Sequence, residues 1–301
     1  MAEGGQPARR SRSRVRARSL PRVRPRAPAP ELALDPSVVL AVLTGFIADE
    51  TRRTGRSGVV VDLSGNVDST LAAALAVKAL GSSHVLALLM PYRLSHPSSL
   101  RDARALARRL GIQHEIVEIT PMVDAFFARA PGAGRVRRGN RMARERMAIL
   151  YDRSAAEHLL VLGTSNKTEL MLGYGTLFGD MASAINPLGD LYKTQVRNVA
   201  AHLRLPKAIL AKTPTADLWQ GQSDEAEIGA SYDEVDRILL LLVDERLEVK
   251  DAIARGHDPA LVRRLMRKIV SSQFKRLPPL IAKISMRTVG VDFRYPRDWG
   301  T

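Results

Sequence analysis

Cysteine is absent from all 301 residues. That excludes disulfides, thiolate-bound metals, persulfide chemistry and a cysteine-dependent glutaminase within this chain. The six histidines are scattered and show no metal-ligand spacing, so they read as ordinary side chains. No uninterrupted run of about 18 apolar residues occurs, and no membrane span is expected. A GxxxxGK[ST] loop is missing too, which argues against γ-phosphate transfer. The length is enough to bury a full core, in one large domain or two small ones.

Charge is plentiful but uneven. The formal net charge is +15, and residues 1–34 hold nine arginines against two glutamates, a net of +7. The remaining +8 is moderate; it suits an anionic substrate and does not demand nucleic acid. Residues 1–33 form an Arg/Ser/Pro/Ala tract with almost no hydrophobic pattern and are expected to be disordered. Such a tract fits a nucleic-acid or membrane-surface tail, a transit peptide or a dispensable extension; without an h-region it does not read as a secretory signal.

From residue 34 to 301 the pattern is that of one α/β domain. Pro36–Arg53 reads as an amphipathic helix. Strands are expected at Gly58–Leu63, Val85–Met90, His114–Ile119 and Leu159–Gly163. Helices are expected from Thr70 to Leu80, Ser98 to Leu110 and, after a glycine-rich linker at Gly132–Gly139, Arg141 to His158. Apolar strands alternating with helices imply a Rossmann-like parallel sheet with helices on both faces. Further helices are expected at Asp190–Leu203 and Tyr232–Asp244, and the basic, proline-rich stretch Gln273–Trp299 is expected to dock on the fold.

The most informative segment is Asp-Leu-Ser-Gly-Asn-Val-Asp-Ser, residues 62–69. It joins the first strand to the helix after it. A short strand-to-helix loop leaves backbone N–H groups unpaired, and these bind phosphate. Ser64 and Ser69 add hydroxyl donors, and Asp68 offers a carboxylate where a divalent cation could bridge to that phosphate. The loop points to ATP. Thr164 ends the fourth strand, and in such sheets ligands bind beyond the carboxyl ends of the strands.

Ser64–Ser69 resembles the SGGxDS loop of the N-type ATP pyrophosphatases. Further segments follow in order: Gly139–Met147, Leu162–Leu170, Leu172–Tyr174 with Gly179-Asp180, Asn186–Thr194, Pro214–Trp219, Gln222–Glu225, Lys275–Pro279 and Arg287–Phe293. Together they look like the ammonia-dependent NAD synthetases, over about residues 35–299.

The resemblance implies an adenine nucleotide alpha-hydrolase-like fold, ATP and Mg²⁺ as cofactors, a cytoplasmic homodimer, and a substrate carboxylate that is adenylated and then amidated by ammonia. The ammonia would be free or come from a separate glutaminase. It further implies that Ser64, Gly65, Asn66, Val67, Asp68, Ser69, Thr164, Lys193 and Thr215 bind ATP. Asp68 and Lys193 would be catalytic, Asp68 and Glu169 would hold the metal, and Arg144 and Lys275 would contact the acid.

The chain departs from the family pattern at several positions. Asn66 stands where the family has a second glycine; if positive φ were needed there, Asn would be the least costly substitute. Met142 and Leu177 replace lysines, Ala184 an aspartate and Phe274 a histidine. The ATP side is kept and the acid side is altered, so a different, less charged acid is the alternative substrate. A non-catalytic nucleotide-binding subunit and an RNA-modifying pyrophosphatase are the remaining readings; the missing cysteine argues against thiolation in the latter.

Overall fold

The computed structural model describes residues 30–219, 221–290 and 292. The tail before Pro30 and the end of the C-terminal stretch lie outside the described residues. Four parallel strands make the sheet: β1 (Gly58–Asp62), β2 (Val85–Leu89), β3 (Gln113–Ile116) and β4 (Leu159–Leu162), in the order β3-β2-β1-β4. Val60 pairs with Leu86 on one side and Val161 on the other.

Side chains alternate across a strand, and β1 shows the consequence. Val59 and Val61 pack under α1 (Pro36–Arg53), α2 (Val67–Leu80), α3 (Pro97–Leu110) and α7 (Lys193–His202). Val60 packs against α4 (Thr120–Phe127) and α5 (Arg135–Ala156) on the opposite face. The chain changes faces between β3 and β4, so a crevice opens at the carboxyl ends of β1 and β4. A third apolar cluster joins α6 (Lys167–Leu172), α9 (Asp224–Ile228), α10 (Tyr232–Leu239), α11 (Val249–Ala254) and α12 (Pro259–Ser271). A short helix, α8, spans Lys207–Leu210.

Several boundaries differ from expectation for physical reasons. Helix α2 begins at Val67, three residues before Thr70, so Asp68 and Ser69 sit in its first turn. Gly132–Gly139 is a linker only as far as Gly134. Gly139 lies inside α5, buried, where an added Cβ would meet Leu218 Cδ1 at 3.0 Å. It is a point of close approach rather than a break. Strand β3 stops at Ile116 and α4 follows, an element missing from the periodicity reading. Helix α10 ends at Leu239 and continues as a wider turn to Asp244.

The ends of the domain also shift. Leu32, expected in the tail, is buried in the third cluster, and its carbonyl accepts from Gln195 Nε2 at 3.2 Å. Among the described residues of the C-terminal stretch, docking is seen at its start and at Thr288, which is buried. Arg276 Nη1 donates to Leu170 O and Met171 O at 3.0 and 2.9 Å, whereas Leu280, Ile284 and Met286 stand exposed. The stretch Pro30–Arg53 is long and apolar enough to cross a membrane by length and composition, although polar residues interrupt its apolar run. In the fold, Leu40 and Ile47 of α1 enter the core, while Leu34, Val38 and Val42 leave an exposed apolar stripe.

Candidate active site

The loop after β1 takes its shape from Gly65. Its φ is 75°, and a Cβ there would lie 2.6 Å from Ser99 O, so only glycine fits. Asn66 needs no such freedom. It has φ −100° and ψ 165°, which any residue adopts, and it caps the start of α2. Ser64 Oγ and Ser69 Oγ are 3.0 Å apart, and Ser69 Oγ donates to Asn66 O. The loop and the first N–H groups of α2 form the concave end of a cavity of about 400 Å³.

Asp68 is buried at the mouth of this loop. One carboxylate oxygen accepts from Asn166 Nδ2 at 2.9 Å and the other from Lys193 Nζ at 2.5 Å. Asn166 begins α6 in a reciprocal cap: Glu169 N donates to Asn166 Oδ1, and Asn166 N donates to Glu169 Oε2. That cap turns Glu169 Oε1 toward Lys193 Nζ, 3.1 Å away. Three segments far apart in sequence therefore meet on one ammonium group. The Tyr232 ring lies 5.3 Å from the same nitrogen.

The electrostatics follow from burial. Burial works against the charge on Lys193, but Asp68, Glu169 and Asp224 outweigh it and raise its pKa. Glu169 is pushed up to about 8, first by burial and then by Asp68 and Asp224, against the pull of Lys193. One cation cannot balance three buried carboxylates, so the proton affinity of Glu169 rises. Asp224 accepts from Tyr174 and Tyr232 hydroxyls at 3.0 and 3.2 Å. Asp62, also on the cavity wall, is raised to about 6 by burial, with Arg146 opposing.

Of the residues expected at the site, Ser64, Asn66, Val67, Asp68, Ser69, Thr164, Glu169, Lys193 and Thr215 all line the cavity. Gly65 shapes it from behind. Arg144 and Lys275, expected to touch the acid, do not line it. Arg144 opens onto a shallow neighbouring groove and donates to Leu177 O at 3.1 Å. Lys275 Nζ is occupied by Gly173 O and Gly175 O, at 2.8 and 2.7 Å. Tyr232 was missed. Asp62, Asn166 and Asp224 fell inside segments singled out in the sequence, residues 62–69, Leu162–Leu170 and Gln222–Glu225, without a separate role for Asn166 or Asp224; Asn166 also carried the Asn-x-x-Glu spacing of a capping box.

The sequence matches the NAD synthase family over residues 39–279. The NH(3)-dependent NAD(+) synthetase of Chlorobaculum tepidum is 54% identical over 268 residues, which cover 89% of this chain and 97% of that protein. An NH3-dependent NAD synthetase from Campylobacter jejuni superposes with a TM-score of 0.72 at 34% identity, covering 83% of this chain and 100% of that one. A Francisella tularensis structure described as NMN synthetase gives 0.74 at 34% identity, covering 83% and 99%. The chain belongs to the NAD synthase family. Like that family, it is an ATP-dependent ligase that forms carbon–nitrogen bonds.

The family frame sharpens the departures. Met142 is a core residue of α5, only 2% exposed, where a lysine would have to bury its charge. At Leu177 the main-chain oxygen, not the side chain, meets Arg144. Ala184 and Phe274 are exposed. Asn66 does not crowd the loop from within. Its Nδ2 reaches across to Thr215 O at 2.8 Å and ties the loop to the segment Lys212–Trp219. Lys212 Nζ donates to Ser99 Oγ at 3.0 Å, and His96 N donates to Asp217 Oδ1 at 3.0 Å, so this segment is strapped over the Ser64–Ser69 end of the cavity. A neutral hydrogen bond contributes about 1 kcal/mol, roughly fivefold in affinity. Asn66→Gly is therefore expected to raise the KM for ATP about fivefold with kcat nearly unchanged, as steady-state pyrophosphate release will measure.

Proposed function

We propose that this site joins the nicotinate carboxylate of deamido-NAD to ammonia in two steps. A carboxylate oxygen attacks the α-phosphorus of ATP, the bond to the bridging oxygen breaks, and pyrophosphate leaves. Ammonia then attacks the acyl carbon of the mixed anhydride; AMP leaves with the bonding electrons, and the nitrogen gives up a proton as the amide forms. The convergence of Asp68 and Glu169 on Lys193 at the mouth of the phosphate loop carries this reading.

Ser64, Gly65, Asn66, Val67 and Ser69 present hydroxyls and backbone N–H groups to the phosphates. Thr164 and Thr215 flank the nucleotide. Lys193 balances the charge that grows on the departing pyrophosphate. Two carboxylates beside a phosphate site are the donor set that Mg²⁺ takes, since it usually keeps water and phosphate oxygens as its other ligands. Bound there by Asp68 and Glu169, Mg²⁺ would neutralise phosphate charge. Arg144 and the groove beside α5 offer positive charge to the remainder of the acid.

The decisive assay is pyrophosphate release with ATP, Mg²⁺, ammonium and deamido-NAD. The likeness to an NMN synthetase, together with the altered residues 177, 184 and 274, makes the mononucleotide acid the competing substrate. The ratio of kcat/KM for the two acids separates the readings, and ATP binding without turnover on either would favour a non-catalytic subunit. With no cysteine in the chain, the ammonia is free or delivered by a separate glutaminase. We also infer a homodimer, supported by the exposed stripe of Leu34, Val38 and Val42 and the apolar side chains of Leu280, Ile284 and Met286. The reading implies a cytoplasmic location, where ATP is supplied.

Glu169 gives a pH-dependent prediction. Its pKa is raised from 4.5 to about 8, so at pH 7 the unliganded protein carries a proton there. The folded state holds that proton more tightly than the unfolded chain. Its contribution to stability is full below about pH 4.5 and is lost as pH rises through about 8. Engagement of the carboxylate by a cation must expel the proton. Binding of Mg²⁺ and ATP at pH 7 is expected to release about one proton, read by calorimetry in buffers of different ionisation enthalpy. Glu169→Gln should abolish that release.

A further inference from the structure

Asp236 is fully buried on α10 and does not line the cavity. Among the described residues no cation forms an ion pair with it; its contacts are hydrogen bonds. Oδ1 accepts from Thr168 Oγ1 at 2.6 Å, and Oδ2 accepts from Thr194 N at 2.8 Å. Thr168 Oγ1 in turn accepts from Lys193 N at 3.0 Å. Thr168 immediately precedes Glu169, and Thr194 immediately follows Lys193. One carboxylate thus holds the Thr168 hydroxyl beside Glu169 and the Thr194 backbone N–H beside Lys193. Burial pushes its carboxyl up to about 6, against the pull of Thr168 and Thr194.

Residues four apart share a helix face, and Tyr232 stands four before Asp236. Its ring faces Lys193 Nζ at 5.3 Å, while its hydroxyl donates to Asp224. Helix α10 therefore supports Lys193 at both ends, the ammonium through Tyr232 and the main chain through Asp236. Burying a carboxylate costs several kcal/mol. An apolar residue would fill the third cluster at no such cost. The carboxylate makes sense if it sets α6 and α7 in register.

We propose that Asp236 is a positioning residue for the ligase reaction: it holds the first turns of α6 and α7 together so that Lys193 and Glu169 meet at Asp68. This rests on the reading that Lys193 acts on ATP. A small displacement of a reacting group can cost about 10²-fold in rate. Asp236→Asn is expected to lower kcat for pyrophosphate release by about 10²-fold while moving the KM for ATP little. Thr168→Val should act in the same direction, and Thr168→Ser, which keeps the hydroxyl, should restore the rate. Val262→Ala, in the same buried cluster, serves as the control for stability alone.

The proposal is overturned if Asp236→Asn and Thr168→Val lose no more kcat than Val262→Ala at matched Tm, or if Thr168→Ser is as slow as Thr168→Val. If Asp236→Asn does not fold, the Thr168 pair decides. Lys193→Met separates the two levels. An active Lys193→Met variant sinks the reading of Lys193, whereas an inactive one beside a fully active Asp236→Asn sinks only the positioning role.

Discussion

Lys193→Met should lower the rate of pyrophosphate release by about 10²–10³-fold, the usual loss when one electrostatic stabiliser of a transition state is removed. The side chain is almost fully buried, and its ammonium donates to Asp68 and Glu169. Methionine keeps the stem and removes the charge, so packing changes little. The carboxylates it leaves behind lose their counter-ion, and breaking a buried pair from one side costs about 3–5 kcal/mol. The unliganded variant should therefore melt lower. Mg²⁺ no longer competes with an internal cation for Asp68 and Glu169, so the Mg²⁺ titration should shift to lower concentration even though turnover is lost. A thermal shift series with and without Mg²⁺ measures both effects.

Asp68→Asn should give a comparable rate loss with the opposite metal response. Asp68 accepts from Asn166 Nδ2 on one oxygen and from Lys193 Nζ on the other. The amide keeps the size but presents a nitrogen to one of these donors and carries no charge. Half-saturation by Mg²⁺ should rise by at least about tenfold, since even an indirect partner of a metal is typically worth 10- to 100-fold in affinity. Titrating both variants with Mg²⁺ at saturating ATP tests the pair. Shifts in the same direction would show that Lys193 and the cation do not share a site.

The parts of this protein written locally in the chain were readable without coordinates. The valines of β1, followed by Ser64–Ser69, announce a strand, a tight loop and a helix, and the structure has all three, with Asp68 in the first turn of α2. Lys193 and Glu169 were reached only through family resemblance, because each alone reads as a helix surface charge. Gly139 misled, because a glycine required by the close approach of Leu218 looks the same in sequence as one that ends a helix. Asp236 and Tyr232 could not be foreseen; their partners lie 42 to 68 residues away or across a ring face. Lys275 was matched to a motif, and the sequence could not show that its ammonium donates to the Gly173 and Gly175 carbonyls.

The order β3-β2-β1-β4 has a further meaning. Because the chain passes from one face of the sheet to the other between β3 and β4, the gap between the ends of β1 and β4 is a product of the route the backbone takes. No single side chain creates it. Side chains along its walls can therefore change from one relative to another while the opening itself persists, so long as the crossover is kept.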